Sequence, residues 1–421
     1  MIIIVENGCY MHHNAGDTAM LVSLVARIGE ICPTATIIVL SDDKQSCLLD
    51  RFSNLDIQIS NPPERYLIAN PTWIAGRASR TMGISHAIKI FASRFPRSYL
   101  MLLRTLKSKY CSEFENLIRQ ADLILFSGGG YLTSSFRDIL DRCYADVFLA
   151  KLYNTSIGLV GQGVGPFTSR EDREKAKKIL EYADFIYTRD DGVALSKLLS
   201  ESGRKKVIST GDDALGEIKA DTNGLIRDRI GINFRLSSYS LGENTPISSV
   251  TRMISEFAAN KKVSLVPLPI ADYPSSENDL HSLRSLFSRE ELENIDYKGI
   301  DERIDYQKVV VLAKSCRFTV SMSYHACIFS LANGVPTIGI SASEYYDEKF
   351  AAIEKFFGIG FRSISMLGKN TKDDFEALLI WAHEQSKDIK LRNELVERGV
   401  SIAQRSKRLL ANELSSIEKN E

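Results

Sequence analysis

Short apolar runs rich in isoleucine and valine recur along the chain, and stretches with helical periodicity follow them. A first series covers residues 2–5, 36–40, 122–126, 155–160, 185–187 and 207–209, and a second covers residues 229–234, 263–267, 318–321 and 337–340. Their residues are apolar in succession rather than alternately, which is typical of strands buried on both faces of a parallel sheet. Helical patterns such as residues 19–31, 169–182 and 305–315 lie between the runs, so the sequence predicts repeated βαβ units.

The two series predict two α/β domains, each a doubly wound, Rossmann-like sheet. At 421 residues, the chain exceeds the size at which a single hydrophobic core keeps growing. Residues 216–228 are polar and lack strand or helix periodicity, so they mark the boundary. We expect a first domain over residues 1–222, a second over residues 223–370 and a helical tail over residues 371–421. In two-domain folds such a tail often packs back across the first domain.

The composition excludes several classes of protein. Hydrophobic residues make up 44% of the chain and charged residues 25%, which is ordinary for a globular protein. Basic and acidic residues balance at 53 each, which argues against a nucleic-acid binder that depends on global charge. No apolar run approaches the roughly 18 residues that span a bilayer, and the N-terminus lacks the features of a secretory signal. Seven cysteines without a CxxC spacing fit reduced thiols, so we expect a cytoplasmic protein.

One segment departs from this charge balance. Residues 65–112 contain nine Lys or Arg and no Asp or Glu, with aromatic and aliphatic residues between them. They could form helices whose basic faces are simply solvated. They could equally form a positive surface that attracts an anionic acceptor, such as a lipid-linked phosphosugar, and so holds the protein at the inner face of the membrane. The pattern does not distinguish these two interpretations.

In an open parallel sheet, ligands bind beyond the carboxyl ends of the strands. In the first domain, residues 14–17, 127–130, 161–165, 188–189 and 211–213 follow predicted strands. Each stretch fits a helix cap or tight turn, although the glycines would also let the backbone approach a ligand. The three successive glycines belong neither to a Walker loop nor to a GxGxxG motif. The acidic pair in the last stretch does not form a DxD motif, so the sequence predicts no metal site.

The strand ends of the second domain carry more chemistry. Arg235 ends the first strand, where its guanidinium could bind carboxylate or phosphate with two hydrogen bonds. Ser323-Tyr324-His325 lies where a strand passes into a helix, and a helix N-terminus favours anions. His325 could act there as a general acid or base, or it could be a structural hydrogen-bonding residue. Lys349 could donate to an anion from the next loop, although an exposed helix lysine is the usual case.

Taken in order, these motifs resemble those of the polysaccharide pyruvyl transferase family over roughly residues 1–360. The series is Asn14-x-Gly16-Asp17, Gly128-Gly129-Gly130, Gly163-Val164-Gly165-Pro166, Arg189-Asp190, Gly211-Asp212-Asp213-Ala214, Asn233-x-Arg235, Ser323-Tyr324-His325-Ala326 and Gly334-Val335-Pro336. The resemblance implies a fold similar to that of GT-B glycosyltransferases, with the active site in a cleft between two Rossmann-like domains. It also implies phosphoenolpyruvate as the donor and a saccharide, free or lipid-linked, as the acceptor. The usual product would be a pyruvate ketal on a cell-surface polymer or exopolysaccharide.

The resemblance also suggests roles for individual residues. His325 would be the acid/base and Arg235 would bind the donor phosphate or carboxylate. Further donor contacts would come from Arg189, Ser323, Tyr324 and Lys349, and the acceptor side of the cleft would contain Asn14, Asp17, Gly128, Gly129, Gly130, Gly163 and Gly165. Many family members carry Arg two positions before the motif histidine, where this chain has Ser323. The other cations and the helix amides would then neutralise the donor. No metal ion and no cofactor besides the donor substrate is expected.

Two other functions stay open. A GT-B-type glycosyltransferase would use a nucleotide sugar and would need an acidic residue for the ribose, for which Glu344 and Glu348 are candidates. A catalytically silent member would bind a glycan or act as a scaffold for polysaccharide assembly. Ser323, in place of the arginine of many family members, leaves this interpretation open.

Overall fold

A computed structural model describes residues 1–8, 12–41, 47–60, 108–218, 227–236, 247–274, 278–300, 303–367 and 372–418. Most of the basic segment predicted to attract an anionic acceptor, residues 65–107, lies outside these ranges. The described chain forms two parallel β-sheets with helices packed on them.

The first sheet belongs to the N-terminal half of the chain. Its strands are β1 (Ile2–Glu6), β2 (Thr36–Leu40), β3 (Asp56–Ser60), β4 (Leu123–Phe126), β5 (Gly129–Leu132), β6 (Ser156–Val164), β7 (Phe185–Thr188) and β8 (Val207–Ser209). They follow the order β3-β2-β1-β4-β6-β7-β8, and β5 pairs with β6. The strand order reverses between β1 and β4, and in open parallel sheets ligands bind at such a switch point.

The second sheet has five parallel strands. They are β9 (Arg229–Asn233), β10 (Ser264–Pro267), β11 (Phe318–Ser321), β12 (Thr337–Ser341) and β13 (Phe361–Ser365), in the order β10-β9-β11-β12-β13. The strand order reverses between β9 and β11. Arg235 follows β9 and His325 follows β11, so this reversal brings both residues to one crevice.

Helices cover both sheets. Those of the first half are α1 (Ala15–Ile31), α2 (Cys47–Arg51), α3 (Ser108–Gln120), α4 (Arg137–Tyr153), α5 (Arg170–Tyr182), α6 (Val193–Ser196) and α7 (Glu201–Arg204). Those of the second are α8 (Ile247–Lys261), α9 (Asp279–Leu286), α10 (Arg289–Glu293), α11 (Tyr306–Lys314), α12 (Tyr324–Ala332) and α13 (Glu344–Phe357). Short 3-10 turns span Ser134–Phe136 and Asp213–Glu217, and the chain continues through α14 (Lys372–Gln385) and α15 (Ile389–Glu418).

The last helix, α15, packs against both halves of the molecule. Its Ser406 hydroxyl lies in a buried cluster with the first half, where Arg27 Nη1 donates to Ser406 Oγ over 2.9 Å. Further along, Tyr187 donates to Glu413 Oε1 over 2.9 Å. Apolar residues of α15 also share one hydrophobic core with both halves. Burial of this shared core fixes the relative position of the two sheets. Among the helices of the described ranges, none is both long and apolar enough to cross a membrane.

Candidate active site

A cavity of about 280 Å³ lies between the carboxyl ends of the two sheets. The predicted site residues that line it are Asn14, Asp17 and Gly130, then Arg189, and from the second half Arg235, Ser323, Tyr324, His325 and Lys349. These residues are far apart in the sequence, and the facing of the two sheets brings them together.

The other predicted glycines lie behind the cavity wall. A side chain on Gly128 would overlap Met20, with an ideal Cβ 1.8 Å from its Cε, so this glycine allows α1 to pack closely. Gly163 lines an adjoining cavity of about 190 Å³, and an ideal Cβ there would lie 2.9 Å from Arg189 Nε. Gly165 has φ +83°, which favours glycine, and Gly129 lies beside the Tyr131 ring. These glycines shape the wall without lining the cavity.

Helices α1 and α12 both begin at the cleft and differ in their capping. At α1, the Asn14 side chain accepts from the amides of Gly16 (3.0 Å) and Asp17 (3.2 Å), so the helix caps itself. At α12, the N-cap is Ser323, and within the described residues its side chain makes no capping hydrogen bond. The first-turn amides of α12 are therefore available to a ligand, and the helix dipole favours an anion there.

His325 stands on that first turn and faces Asp212 from the other half of the molecule. Its Nε2 lies 3.6 Å from Asp212 Oδ2, and the two side chains are only 8% and 0% exposed. Burial alone would raise the pKa of Asp212. Neighbouring His325 and Arg189, together with the Ala214 amide, outweigh burial and hold this pKa below its usual value. Asp212 is therefore an ionised carboxylate beside the imidazole.

Arg189 follows β7 and lies almost completely buried in the wall. Its Nη1 is 3.8 Å from Asp212 Oδ2, and its Cζ lies 4.9 Å from the centre of the Tyr324 ring. Burial raises the pKa of Tyr324 well above its usual value, so the phenol stays protonated. The arginine is held by a carboxylate on one side and an aromatic face on the other.

Arg235 is fixed by a two-pronged contact. Its Nε donates to Asp279 Oδ1 over 2.6 Å and its Nη2 donates to Asp279 Oδ2 over 3.1 Å. The same carboxylate accepts from Asn233 Nδ2 and from the amides of Ile270 and Ala271. Asp279 balances the charge of Arg235 and orients the guanidinium at the edge of the cavity.

Lys349 adds another basic side chain to the cavity, from α13. It is partly buried, with Nζ 4.0 Å from the centre of the Tyr345 ring. Burial, together with repulsion from Arg189 and Arg235, lowers the pKa of Lys349 well below its usual value, although Asp17 partly opposes this shift. A bound anion would favour its protonated form.

Comparison with known proteins places this geometry in a family. The family model for polysaccharide pyruvyl transferase matches residues 14–344. The chain belongs to the polysaccharide pyruvyl transferase family. The resemblance found in the sequence is thereby confirmed. The match covers the site from Asn14 to His325 and ends before Lys349 and the helical tail.

Solved structures that are similar to this chain share its architecture. A UDP-GlcNAc 2-epimerase from Neisseria meningitidis bound to UDP-GlcNAc aligns with TM-score 0.55 and 14% identity over 98% of this chain and 99% of the other. The S. aureus protein MnaA with UDP aligns with TM-score 0.54 and 14% identity, covering 97% and 94%. The kitacinnamycin glycotransferase aligns with TM-score 0.53 and 10% identity, covering 99% and 98%. These likenesses confirm the predicted GT-B-like fold. No curated protein matches the chain in sequence.

The site of this pyruvyl transferase family member contains residues that the sequence analysis did not predict. Tyr131 lines the cavity and donates to the Ser127 carbonyl over 2.7 Å, while Tyr345 covers Lys349. Aromatic residues beside strands look like core in a sequence, so no pattern distinguished them. Asp212 belonged to a recognised motif but was weighed only as a metal ligand. Within the described ranges, no group of three or more His, Cys, Asp or Glu side chains could hold a metal ion.

Proposed function

We propose that this protein transfers a pyruvyl group from phosphoenolpyruvate to a saccharide, forming a pyruvate ketal during synthesis of a cell-surface polysaccharide. The observation that carries the proposal is the cavity itself. Basic side chains that include Arg189, Arg235 and Lys349 line it together with the open N-terminus of α12 and His325. Phosphoenolpyruvate has a phosphate and a carboxylate, so its binding needs this density of cationic and amide donors.

Donor binding in this proposal centres on α12. The first-turn amides and the Ser323 hydroxyl would take one anionic group of phosphoenolpyruvate. Arg189 and Lys349 would take the other, with Arg235 held in place by Asp279 at the edge. Serine at position 323 supplies no charge, and the positive end of the helix dipole compensates in part for the arginine that many relatives have there.

The chemistry requires proton transfer in both directions. A proton adds to the methylene carbon of phosphoenolpyruvate, which becomes a methyl group and leaves an oxocarbenium-like centre at C2. One sugar hydroxyl attacks C2 and loses its proton. The C2–oxygen bond to phosphate then breaks as the phosphate takes up a proton, and a second hydroxyl closes the ketal with loss of its proton. His325 would give and take protons, and the cations would stabilise the departing inorganic phosphate. No step needs a metal ion or a cofactor.

The acceptor would lie against the first half of the molecule. Asn14, Asp17, Gly130 and Tyr131 form this side of the cavity, where the side chains of Asn14 and Asp17 would offer polar groups to a sugar. Gly128, Gly129, Gly163 and Gly165 would support that wall. Recruitment of a lipid-linked acceptor at a membrane surface stays a prediction from residues 65–112.

A nucleotide-sugar glycosyltransferase is the main competing function, since the epimerase and MnaA structures are bound to UDP compounds. The two acidic residues considered for ribose binding do not favour it. Glu344 and Glu348 are both exposed, and neither is among the residues that line the cleft cavity.

A thermal-shift titration tests the donor. Phosphoenolpyruvate should raise the Tm of the wild-type protein with concentration, in EDTA as well as without it, because a ligand that binds only the folded state stabilises it. Arg189→Ala should remove this shift, whereas Arg252→Ala, an arginine with a 77% exposed side chain away from the cavity, should keep it. A shift with UDP-GlcNAc alone would overturn the proposal in favour of glycosyl transfer.

Turnover is then tested by inorganic phosphate release across a panel of saccharide acceptors. His325→Ala should keep the thermal shift with phosphoenolpyruvate and lose phosphate release by about 100-fold or more. Donor binding by the wild type without release on any acceptor would instead indicate a silent, glycan-binding member.

A further inference from the structure

We propose that Asp212 is a positioning residue that orients and charge-stabilises His325 across the cleft, and that the C-terminal helix holds it there. The role in turnover rests on the proposed function. The contact between carboxylate and imidazole does not depend on it and can be tested without a substrate.

The two carboxylate oxygens of Asp212 have different surroundings, which indicates a functional as well as a structural role. Its Oδ1 accepts from the Ala214 amide over 2.8 Å, which fixes the side chain on its own loop. Its Oδ2 reaches into the cleft, 3.6 Å from His325 Nε2 and 3.8 Å from Arg189 Nη1. Within the described residues this buried oxygen makes no hydrogen bond. A buried carboxylate oxygen without a hydrogen bond is costly, so its retention between Arg189 and the His325 imidazole calls for a functional reason.

The surroundings of His325 leave Asp212 as its charged partner. The Tyr324 ring centre is 5.4 Å away and the Phe329 ring centre 6.4 Å away, and both belong to α12 itself. From α1, the backbone of Gly16 lies against the ring, with Asp17 on the next position of that helix. Arg189 lies behind the carboxylate. The His325 ring therefore packs between its own helix and α1, and its Nε2 faces Asp212.

This arrangement assigns different tasks to the two ring nitrogens. Nε2 is fully buried and directed at the carboxylate. A proton on Nε2 would be held by Asp212, which leaves Nδ1 to exchange a proton with a ligand. When His325 takes up a second proton, the adjacent carboxylate stabilises the imidazolium that forms.

Residues of α1 and α15 contact the loop that contains Asp212 and hold it in place. The next residue, Asp213, faces the opposite way. Its Oδ2 lies 2.9 Å from Arg27 Nη2, and its Oδ1 accepts from Ser406 Oγ over 2.8 Å. Gly211 has φ +88°, and an ideal Cβ there would lie 2.4 Å from Ile402 Cγ2. Helix α15 thus packs directly on the loop that presents Asp212, although this helix lies beyond the residues matched by the family.

The substitution Asp212→Asn tests the inference, because the asparagine keeps the size and the Oδ1 contact, removes the charge and replaces the Oδ2 acceptor by an amide NH2 group. The thermal shift with phosphoenolpyruvate should be kept, since Arg189 loses a competing carboxylate. The kcat for phosphate release should fall by about 10- to 100-fold, which separates a positioning role from loss of folding or of binding. Asp212→Glu keeps the charge and should retain more activity than the asparagine variant. Equal kcat in the wild type and Asp212→Asn would overturn the inference.

A second readout needs no substrate. Histidine labelled with ¹⁵N reports by NMR which ring nitrogen carries the proton, and His325→Gln identifies the resonances of His325 among the six histidines. Loss of the Asp212 carboxylate should reduce the share of the tautomer with its proton on Nε2 in Asp212→Asn, while the exposed Asp373→Asn leaves it unchanged. If the His325 resonances of wild type and Asp212→Asn coincide, the contact has no positioning role. If they differ but the wild type binds no phosphoenolpyruvate, the contact stands and the proposed function fails.

Discussion

Gly16 is the position where the smallest substitution should have the largest effect on the site. It lies in the first turn of α1, and the ring of His325 packs against it from the other half of the molecule. An ideal Cβ on Gly16 would lie 2.0 Å from both Cγ and Nδ1 of His325. Carbon atoms in contact are normally about 3.5–4.0 Å apart, so Gly16→Ala must move the buried ring by about 1.5 Å or push α1 away.

The expected cost falls on activity more than on stability. Forcing one methyl group into a packed site costs about 1–3 kcal/mol. Replacing glycine by alanine in a helix returns at most about 1 kcal/mol of this. The protein should therefore remain folded with a modestly lower Tm. Displacement of a catalytic group by about 1 Å costs roughly 100-fold in rate, so phosphate release should fall by that factor or more.

The same helix offers a matched control. Gly29 lies near the other end of α1, and an ideal Cβ there would meet Leu55 Cδ1 at 2.4 Å, the flexible end of a side chain outside the cavity. Gly29→Ala should keep wild-type turnover and an unchanged or slightly higher Tm. Both variants are compared by thermal melting and by phosphate release with an acceptor that the wild type uses. Turnover of Gly16→Ala within about threefold of wild type would refute the close packing of His325 on α1.

Three further changes test the surroundings of the site. Gly130→Ala should weaken phosphoenolpyruvate binding in a thermal-shift titration, because its Cβ would lie 2.6 Å from Arg189 Nη2; an unchanged shift would contradict this contact. Lys349→Met should be more stable than wild type at pH 7, and the difference in Tm should shrink toward pH 10. Folding lowers the pKa of Lys349, so the wild-type protein loses stability as the pH falls below about 10.4, the pKa of lysine in the unfolded chain. A Tm difference that stays constant with pH would refute this reasoning. Arg27→Met should lower the free energy of unfolding by about 3–5 kcal/mol in urea, because Asp213 is left buried without its cation; a loss below about 1 kcal/mol would show that the pair is dispensable.

The sequence alone predicted the local features well. Successive apolar residues identify buried parallel strands such as β4 and β11, since each strand must pack on both faces. The strands it missed are β3, β5 and β13. The first and last lie at sheet edges and are partly exposed, so their apolar runs are interrupted, and β5 begins with two glycines.

Local rules likewise placed His325 at a strand–helix junction, because turn formation depends on neighbours in the chain. They placed the start of α1 too late, since the helical pattern was predicted from residue 19 and the helix begins at Ala15 with Asn14 as its cap. Only the tertiary structure paired Asp212 with His325, put Gly16 against the imidazole and let α15 hold the aspartate loop. These contacts join residues far apart in sequence. They depend on how two separate sheets face one another around a shared core, and no periodicity in a single chain records that orientation.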